Sequence, residues 1–254
     1  MIFSRHKLWL AVLFPFLTTP SVGSSVAIVV TDTAVMIAAD GVLSKTTYGI
    51  RSSEKYCKIR KEGATFYTAV GTYGIPDLHF DVWTLASDAI QRSKTAVGIY
   101  DAVEPAILAK LPDVVQRSKI IDRANYDRWL TGIPVIAISF ASFDRDVPIV
   151  ATVTFTIDST GEVLPPTRNT QHGTPGTAQN ALLGYNDKMR LATASPTWGV
   201  QFLKDPTGFL QDMIQAEIDV ANQEKRYDVG TPISILKLTK AGGAFEPGHE
   251  GACP

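Results

Sequence analysis

A four-layer αββα sandwich of the α+β class, two stacked and mainly antiparallel sheets with helices on both outer faces, is the fold that this 254-residue sequence predicts. Three observations carry it. Several short runs rich in Val, Ile and Ala are apolar at successive positions, as expected of strands covered on both faces. Between them the apolar spacing changes from two to three and four, which is the spacing of helices. The order is strands, two helices, strands, two helices, strand. Grouped strands alternating with paired helices, in place of strict βαβ alternation, favour antiparallel sheets stacked on each other with a helical layer outside each.

In chain order, residues 25–30 and 34–39 are β-prone runs separated by Thr31-Asp32-Thr33, and they read as a hairpin. Two shorter strands are expected at 57–60 and 65–70, with Glu62-Gly63 as the turn between them. From Pro76 onward Leu78, Val82, Leu85, Ala86 and Ile90 recur mostly at three- and four-residue steps, which predicts a helix. A second helical stretch runs through Ala102, Ile107, Leu108, Leu111 and Val115. It carries Pro105 and Pro112, each lacking an N–H and crowding the preceding turn, so a break is expected. Strand character returns at 134–140 and 149–157, the latter closed by the turn sequence Asp158-Ser159-Thr160-Gly161. A Pro/Thr-rich connection over 163–176 leads to helices expected at 178–192 and 205–222. The second of these has Asp205 as N-cap, Pro206 in its first turn, and Leu210, Met213, Ile214, Ile218 and Ala221 along one face. Residues 233–238 form the last strand, and the Gly/Pro-rich stretch from Gly242 reads as a tail.

Nothing in the middle of the chain reads as a linker, so one domain is expected. A formal net charge of −1 gives no electrostatic reason to expect nucleic acid or an anionic membrane surface as partner. The amino-terminal segment differs from the rest. Arg5, His6 and Lys7 precede an apolar stretch from Leu8 to Leu17 that is too short to span about 30 Å of hydrocarbon. This is the pattern of a secretory signal peptide over residues 1–23, with Ser21 and Gly23 at the small-x-small positions and Ser24 next. A cut after Ser24 also satisfies that rule, and an uncleaved amphipathic leader is the bland alternative. An exported protein without a stable membrane anchor is the expectation. Cys57 and Cys253 are too few for a disulfide scaffold, although export would permit their oxidation, and the sequence leaves their pairing open. The histidines (His6, His79, His172, His249) are scattered, so no metal site is expected and no cofactor either.

Ser24 stands sixteen positions before Asp40, and cleavage after Gly23 gives it a free α-amine beside its hydroxyl, the minimal equipment of an N-terminal nucleophile. The stretches Gly23 to Ile28, Val35 to Asp40, Lys58-Ile59 and Ala69-Val70-Gly71 resemble proteasome β-type subunits and bacterial proteasome-like peptidases, a family of N-terminal nucleophile hydrolases. The closing run from Gly230 to Leu238 is similar to the last strand of that family. The resemblance implies that residues 24–241 are the hydrolase domain and 242–254 a tail. It implies that Ser24 replaces the family's terminal threonine, attacking a carbonyl while its own amine, of reference pKa about 7.7–8.0, takes the proton. Lys58 matches the lysine that lowers the amine's pKa, Asp40 the acid that orients this lysine, and Gly71 the glycine whose N–H helps to hold an oxyanion. A peptide or a small amide as substrate and a homo-oligomer as assembly are further implications.

Each position has a structural alternative. Asp40-Gly41 is also a turn at a strand end, Gly71 also a turn glycine, and Lys55 competes with Lys58 for the lysine's role. By strand alternation Cys57 and Lys58 point to opposite faces, so only one of them enters a cleft. The chain also departs from the family pattern. Val229-Gly230-Thr231 stands where a Ser-Gly-Gly is usual, with Arg226 in place of the aspartate three residues earlier, although Asp228 is close by. Leu183-Gly184-Tyr185-Asn186 stands where a Gly-Ser-Gly turn is usual. The sequence therefore supports an exported amide hydrolase acting through an acyl-enzyme on Ser24. A catalytically inactive binding or assembly module on the same fold is the alternative. The mature protein is expected to begin at Ser24; intact-mass measurement of the exported form tests this, and a terminus at Ser25 or an uncut leader would overturn it.

Overall fold

A computed structural model of the chain describes residues 18–21, 23–47, 50–93, 95–226 and 228–253. Its strands are β1 (Thr18–Ser21), β2 (Ser25–Val30), β3 (Ala34–Asp40), β4 (Val42–Thr47), β5 (Ile50–Lys55), β6 (Arg60–Glu62), β7 (Thr65–Gly71), β8 (Gly74–Ile75), β9 (Phe80–Asp81), β10 (Ile136–Asp144), β11 (Val147–Phe155), β12 (Thr167–His172), β13 (Gln179–Gly184), β14 (Ile233–Thr239) and β15 (Gly242–Phe245). The helices are α1 (Val82–Arg92), α2 (Ala96–Leu108), α3 (Leu111–Ile121), α4 (Arg123–Trp129), α5 (Asp187–Ala194), α6 (Trp198–Lys204) and α7 (Pro206–Gln223). The signal peptide expected over residues 1–23 falls for the most part outside the described residues. Its described strand β1 pairs antiparallel with β4.

Two five-stranded sheets stack face to face, one in the order β13-β2-β3-β14-β15 and the other in the order β12-β11-β10-β7-β6. Every pairing in both is antiparallel. Side-chain alternation along the strands decides the layers. Val26, Ile28, Val35 and Ile37 of the first sheet meet Phe66, Val70, Ala137 and Val150 of the second between the sheets. The alternate residues Ala27, Val29, Met36 and Ala38 pack on Leu210, Met213, Ile214 and Ile218 of α7. On the far side of the second sheet, Tyr67, Ala69, Ile138 and Phe140 pack against the layer built from α1 to α4. The result is the αββα sandwich that the sequence predicts, held by three apolar layers in which each fully buried Ile, Leu or Val contributes roughly 1.5–3 kcal/mol.

The structure corrects several local expectations. Residues 57–59 are not a strand, which begins only at Arg60. Tyr56 N donates to Gly41 O at 2.9 Å and Cys57 is bonded to Cys253, so this segment crosses between elements instead of joining a ladder. The helix expected over 178–192 is in fact the edge strand β13 followed by the shorter α5. The open edge of β2 has backbone groups to satisfy, and pairing from Gln179↔Val30 to Gly184↔Ser25 outweighs the helical spacing of the local sequence. Within the connection over 163–176, β12 likewise completes the edge of β11. Residues 76–78 form a single 3₁₀ turn, and α1 starts at Val82, where the Asp81 side chain accepts from Trp83 N at 2.9 Å. Pro105 lies inside α2, and the break comes after Leu108, with Pro112 in the first turn of α3, where its missing N–H leaves no bond unmade. The β4–β5 hairpin, α4 and α6 carry no periodic signal that the sequence reading found.

The tail is tied to the body. β15 pairs with β14, Ile235 N donates to His249 O at 2.9 Å, and Glu246 N donates to Ile235 O at 2.8 Å. The Cys57–Cys253 disulfide then joins positions 196 residues apart. A crosslink over so long a loop removes many conformations from the unfolded chain. Replacing both cysteines by serine is expected to cost about 2–5 kcal/mol of unfolding free energy, read from denaturant curves with midpoint and slope both fitted, since the freed unfolded chain exposes more surface; an unchanged free energy would show that the crosslink adds nothing to stability.

Candidate active site

The site grows from the ends of the central strands of the first sheet. β2 begins at Ser25 and β3 ends at Asp40, and the antiparallel register Val26↔Ala39 brings these two ends together. Ser25 N donates to Asp40 Oδ1 at 2.8 Å, and on the other oxygen Gly230 N donates at 3.1 Å and Val42 N at 3.4 Å. Lys58 reaches the same carboxylate, its Nζ 2.7 Å from Asp40 Oδ1, with both side chains fully buried. Burial pushes Asp40 above the usual carboxylate range and Lys58 below the usual lysine range, and each displacement is opposed by the partner's charge and by the hydrogen bond between them.

Ser24 is 1% exposed, and the residues on either side of it touch this pair. Its Oγ donates to Gly23 O at 2.6 Å and shares a second hydrogen bond with Tyr73 Oη. Lys58 Nζ also donates to Gly23 O, at 3.4 Å. The carbonyl next to the serine is thus approached by its own hydroxyl and by the lysine. Downstream, Tyr185 N donates to Ser24 O at 2.8 Å and Ser25 Oγ donates to Tyr185 O at 2.9 Å, which fixes the start of β2 against the end of β13.

Ser24 and Gly71 line one cleft of about 380 Å³, with Arg128, Tyr185 and Arg190 around it. Gly71 has φ +99°, a conformation that side chains rarely adopt, and a Cβ there would lie 2.1 Å from Val135 O. The β7–β10 register ends at Gly71↔Ile136, and just beyond it Thr72 N donates to Val135 O at 3.0 Å, so Gly71 is the last residue of its strand where the chain turns.

Ser24, Asp40 and Lys58 therefore meet in one buried cluster, with Gly71 on the wall of the same cleft. Lys55, the competing lysine, is exposed at the end of β5, and Cys57 turns away into the disulfide. Arg226 stacks on the Tyr185 ring at 3.8 Å and takes no part beside the serine. Asp228 does approach it. A Cβ on Gly23 would lie 2.0 Å from Asp228 Cβ, the aspartate is only 8% exposed, and its Oδ1 has no hydrogen-bond partner among the described residues. The sequence placed Asp228 near the site without giving it a part, since local spacing does not report which way a loop aspartate turns. Tyr73 escaped the sequence reading altogether; its place two residues beyond Gly71 was the one available signal. Among the described residues no group of three or more His, Cys, Asp or Glu is placed to hold a metal ion, and no helix is long and apolar enough to cross a membrane.

No protein-family model and no curated protein matches the chain. Among solved structures it is similar to the Gly-1 mutant of Anbu from Hyphomicrobium sp. strain MC1, with 14% identity and a TM-score of 0.45 over 88% of this chain and 85% of that one.

The buried pair makes a direct prediction. Lys58→Ala leaves an uncompensated carboxylate in the interior and Asp40→Ala an uncompensated ammonium, so each is expected to cost about 3–5 kcal/mol in chemical denaturation. Exposed Lys55→Ala is expected to stay within about 0.5 kcal/mol of the parent. Equal losses at Lys55 and Lys58 would contradict the pairing.

Proposed function

We propose that the chain is an exported N-terminal nucleophile hydrolase that cleaves a peptide or other amide bond through an acyl-enzyme on Ser24. The observation that carries this reading is the convergence of Ser24, Asp40 and Lys58 on one buried point, from three separate segments, directly beneath a cleft. An ion pair is expensive to bury and is often no better for stability than apolar packing, so its position against the Gly23 carbonyl and the Ser25 N–H, on either side of Ser24, argues for chemistry.

With residues 1–23 attached, the Ser24 nitrogen is an amide and has no basic lone pair. Removal of the leader turns it into an amine of reference pKa about 7.7–8.0, which the Lys58 charge below lowers further. The amine takes the Oγ proton as Oγ attacks the substrate carbonyl, and the oxyanion of the tetrahedral intermediate is offered the Gly71 N–H. Collapse breaks the C–N bond, the amine returns its proton to the leaving nitrogen, and the acyl group remains as an ester on Ser24. Water activated by the same amine then hydrolyses the ester. The Asp228 carboxylate, whose Oδ1 has no hydrogen-bond partner among the described residues, is suited to accept a hydrogen bond from the terminal amine where family members use a differently placed aspartate.

The alternative, a binding module on the same fold, draws on β1. With β1 paired to β4, part of the leader lies on the body and Ser24 is closed from solvent. The two readings part on covalent labelling. Protein that begins at Ser24 is expected to gain the mass of one β-lactone on its terminal peptide, with a rate that falls as the amine becomes protonated, at a pH below the free amine's reference pKa of about 7.7–8.0. Ser24→Ala is expected to lose labelling and retain its melting temperature. Labelling elsewhere, or none on a verified Ser24 terminus, would favour the binding module.

A further inference from the structure

A tyrosine that no part of the scheme above uses touches the reacting oxygen. Tyr73 is 5% exposed and its hydroxyl meets Ser24 Oγ. The direction of that hydrogen bond follows from counting protons. Ser24 Oγ has one hydrogen, and it is donated to Gly23 O. In the contact with Tyr73 the serine oxygen is therefore the acceptor and the phenol is the donor. Burial moves the phenol's pKa well above its ordinary value, so the ring keeps its proton and remains a donor across the working pH range.

The ring is held from several sides. It stacks on Trp83 with centroids 5.4 Å apart and meets Tyr56 at 6.2 Å. The Arg60 guanidinium covers Trp83 at 4.4 Å, and Tyr73 O accepts from Val82 N at 2.8 Å at the start of α1. Tyr56 uses its own hydroxyl differently, on Arg60. Of these aromatic groups only Tyr73 reaches the serine.

We propose that Tyr73 is a catalytic residue, a fixed hydrogen-bond donor to Ser24 Oγ that stabilises the negative charge on this oxygen as it forms and as it leaves. The inference rests on the hydrolase reading of Ser24. Once Gly23 is gone, the serine proton is free to turn to the α-amine while the phenol O–H remains on a lone pair of Oγ, so the two hydrogen bonds orient the nucleophile from opposite sides. During attack the Oγ proton passes to the amine and Oγ forms its bond to the substrate carbon. During deacylation that bond breaks and Oγ takes a proton back from the amine. The phenol proton is not transferred in either step, and only its hydrogen bond strengthens and weakens. This supplies beside the nucleophile a hydroxyl that the sequence lacks at its Leu183-Gly184-Tyr185-Asn186 turn.

The test uses mature protein with a verified Ser24 terminus and measures the rate of acylation by a β-lactone against pH. Tyr73→Phe keeps the ring and its stacking, and is expected to acylate about 10²-fold more slowly, with the rising limb of its pH profile moved to higher pH. Tyr56→Phe, which deletes a neighbouring phenol hydroxyl, is expected to stay within about twofold of the parent, as befits a group away from the reacting oxygen. Should Tyr73→Phe fold poorly, 3-fluorotyrosine at position 73 retains shape and donor while making the O–H more acidic; a changed rate and profile then support the assignment. Acylation of the parent with equal rates and profiles for Tyr73→Phe, or for the fluorinated protein, would overturn the role of Tyr73 and leave the hydrolase reading intact. A parent that no β-lactone acylates would overturn both together.

Discussion

Two opposite charges with no water around them organise the front end of this molecule. Lys58 Nζ and Asp40 Oδ1 lie 2.7 Å apart with both side chains fully buried. Desolvating either alone costs several kcal/mol, and their mutual attraction offsets this only with good geometry and the remaining lone pairs occupied. Backbone N–H groups of Ser25, Gly230 and Val42 occupy them. Those donors come from the start of β2, the loop before β14 and the start of β4. Satisfying one carboxylate thereby fixes three chain segments, and Ser24 is immediately attached to the first.

The surroundings of Lys58 follow from the same constraint. A lysine on an ordinary edge strand would turn to solvent. Here residues 57–59 leave the ladder, Cys57 is anchored to Cys253, and Lys58 is directed inward. The tail that carries Cys253 is held along β14, whose register places Ile233 opposite Asp40. The carboxyl-terminal residues and the buried pair therefore share one structural support, although they are far apart in sequence. Tyr73, stacked on Trp83, brings its phenol to the serine oxygen, whose other partner, the carbonyl of Gly23, also accepts from Lys58.

Much of the scaffold was legible because it depends on local pattern. The central hairpin reads as strands since every residue from Val26 to Val30 is apolar, and α7 is announced by Asp205, Pro206 and its apolar face, with the Asp205 side chain accepting from Gly208 N at 3.0 Å. Expectations failed where a neighbouring sheet edge had backbone groups to satisfy. Residues 179–184 carry a helical spacing and form β13 because β2 presents an open edge. Of residues 57–60, which carry a strand pattern, 57–59 cross over because the disulfide and the buried aspartate draw them away, and only Arg60 joins β6.

The site divides in the same way. The sequence by itself offered Ser24, Asp40, Lys58 and Gly71 as a set through a resemblance to N-terminal nucleophile hydrolases, carried by the order of the residue types and the spacing from Ser24 to Asp40. It could not choose finally between Lys55 and Lys58, which are three residues apart with the same charge; burial against Asp40 separates them. Nor did it reveal Tyr73 or give Asp228 a part. A hydrogen bond between residues 49 positions apart, and an aspartate against a glycine more than two hundred residues earlier, leave no mark in local periodicity. Tertiary structure alone decided them, because the packing of the two sheets sets which side chains share a buried volume, where a polar atom removed from water is stabilised by a partner brought from elsewhere in the chain.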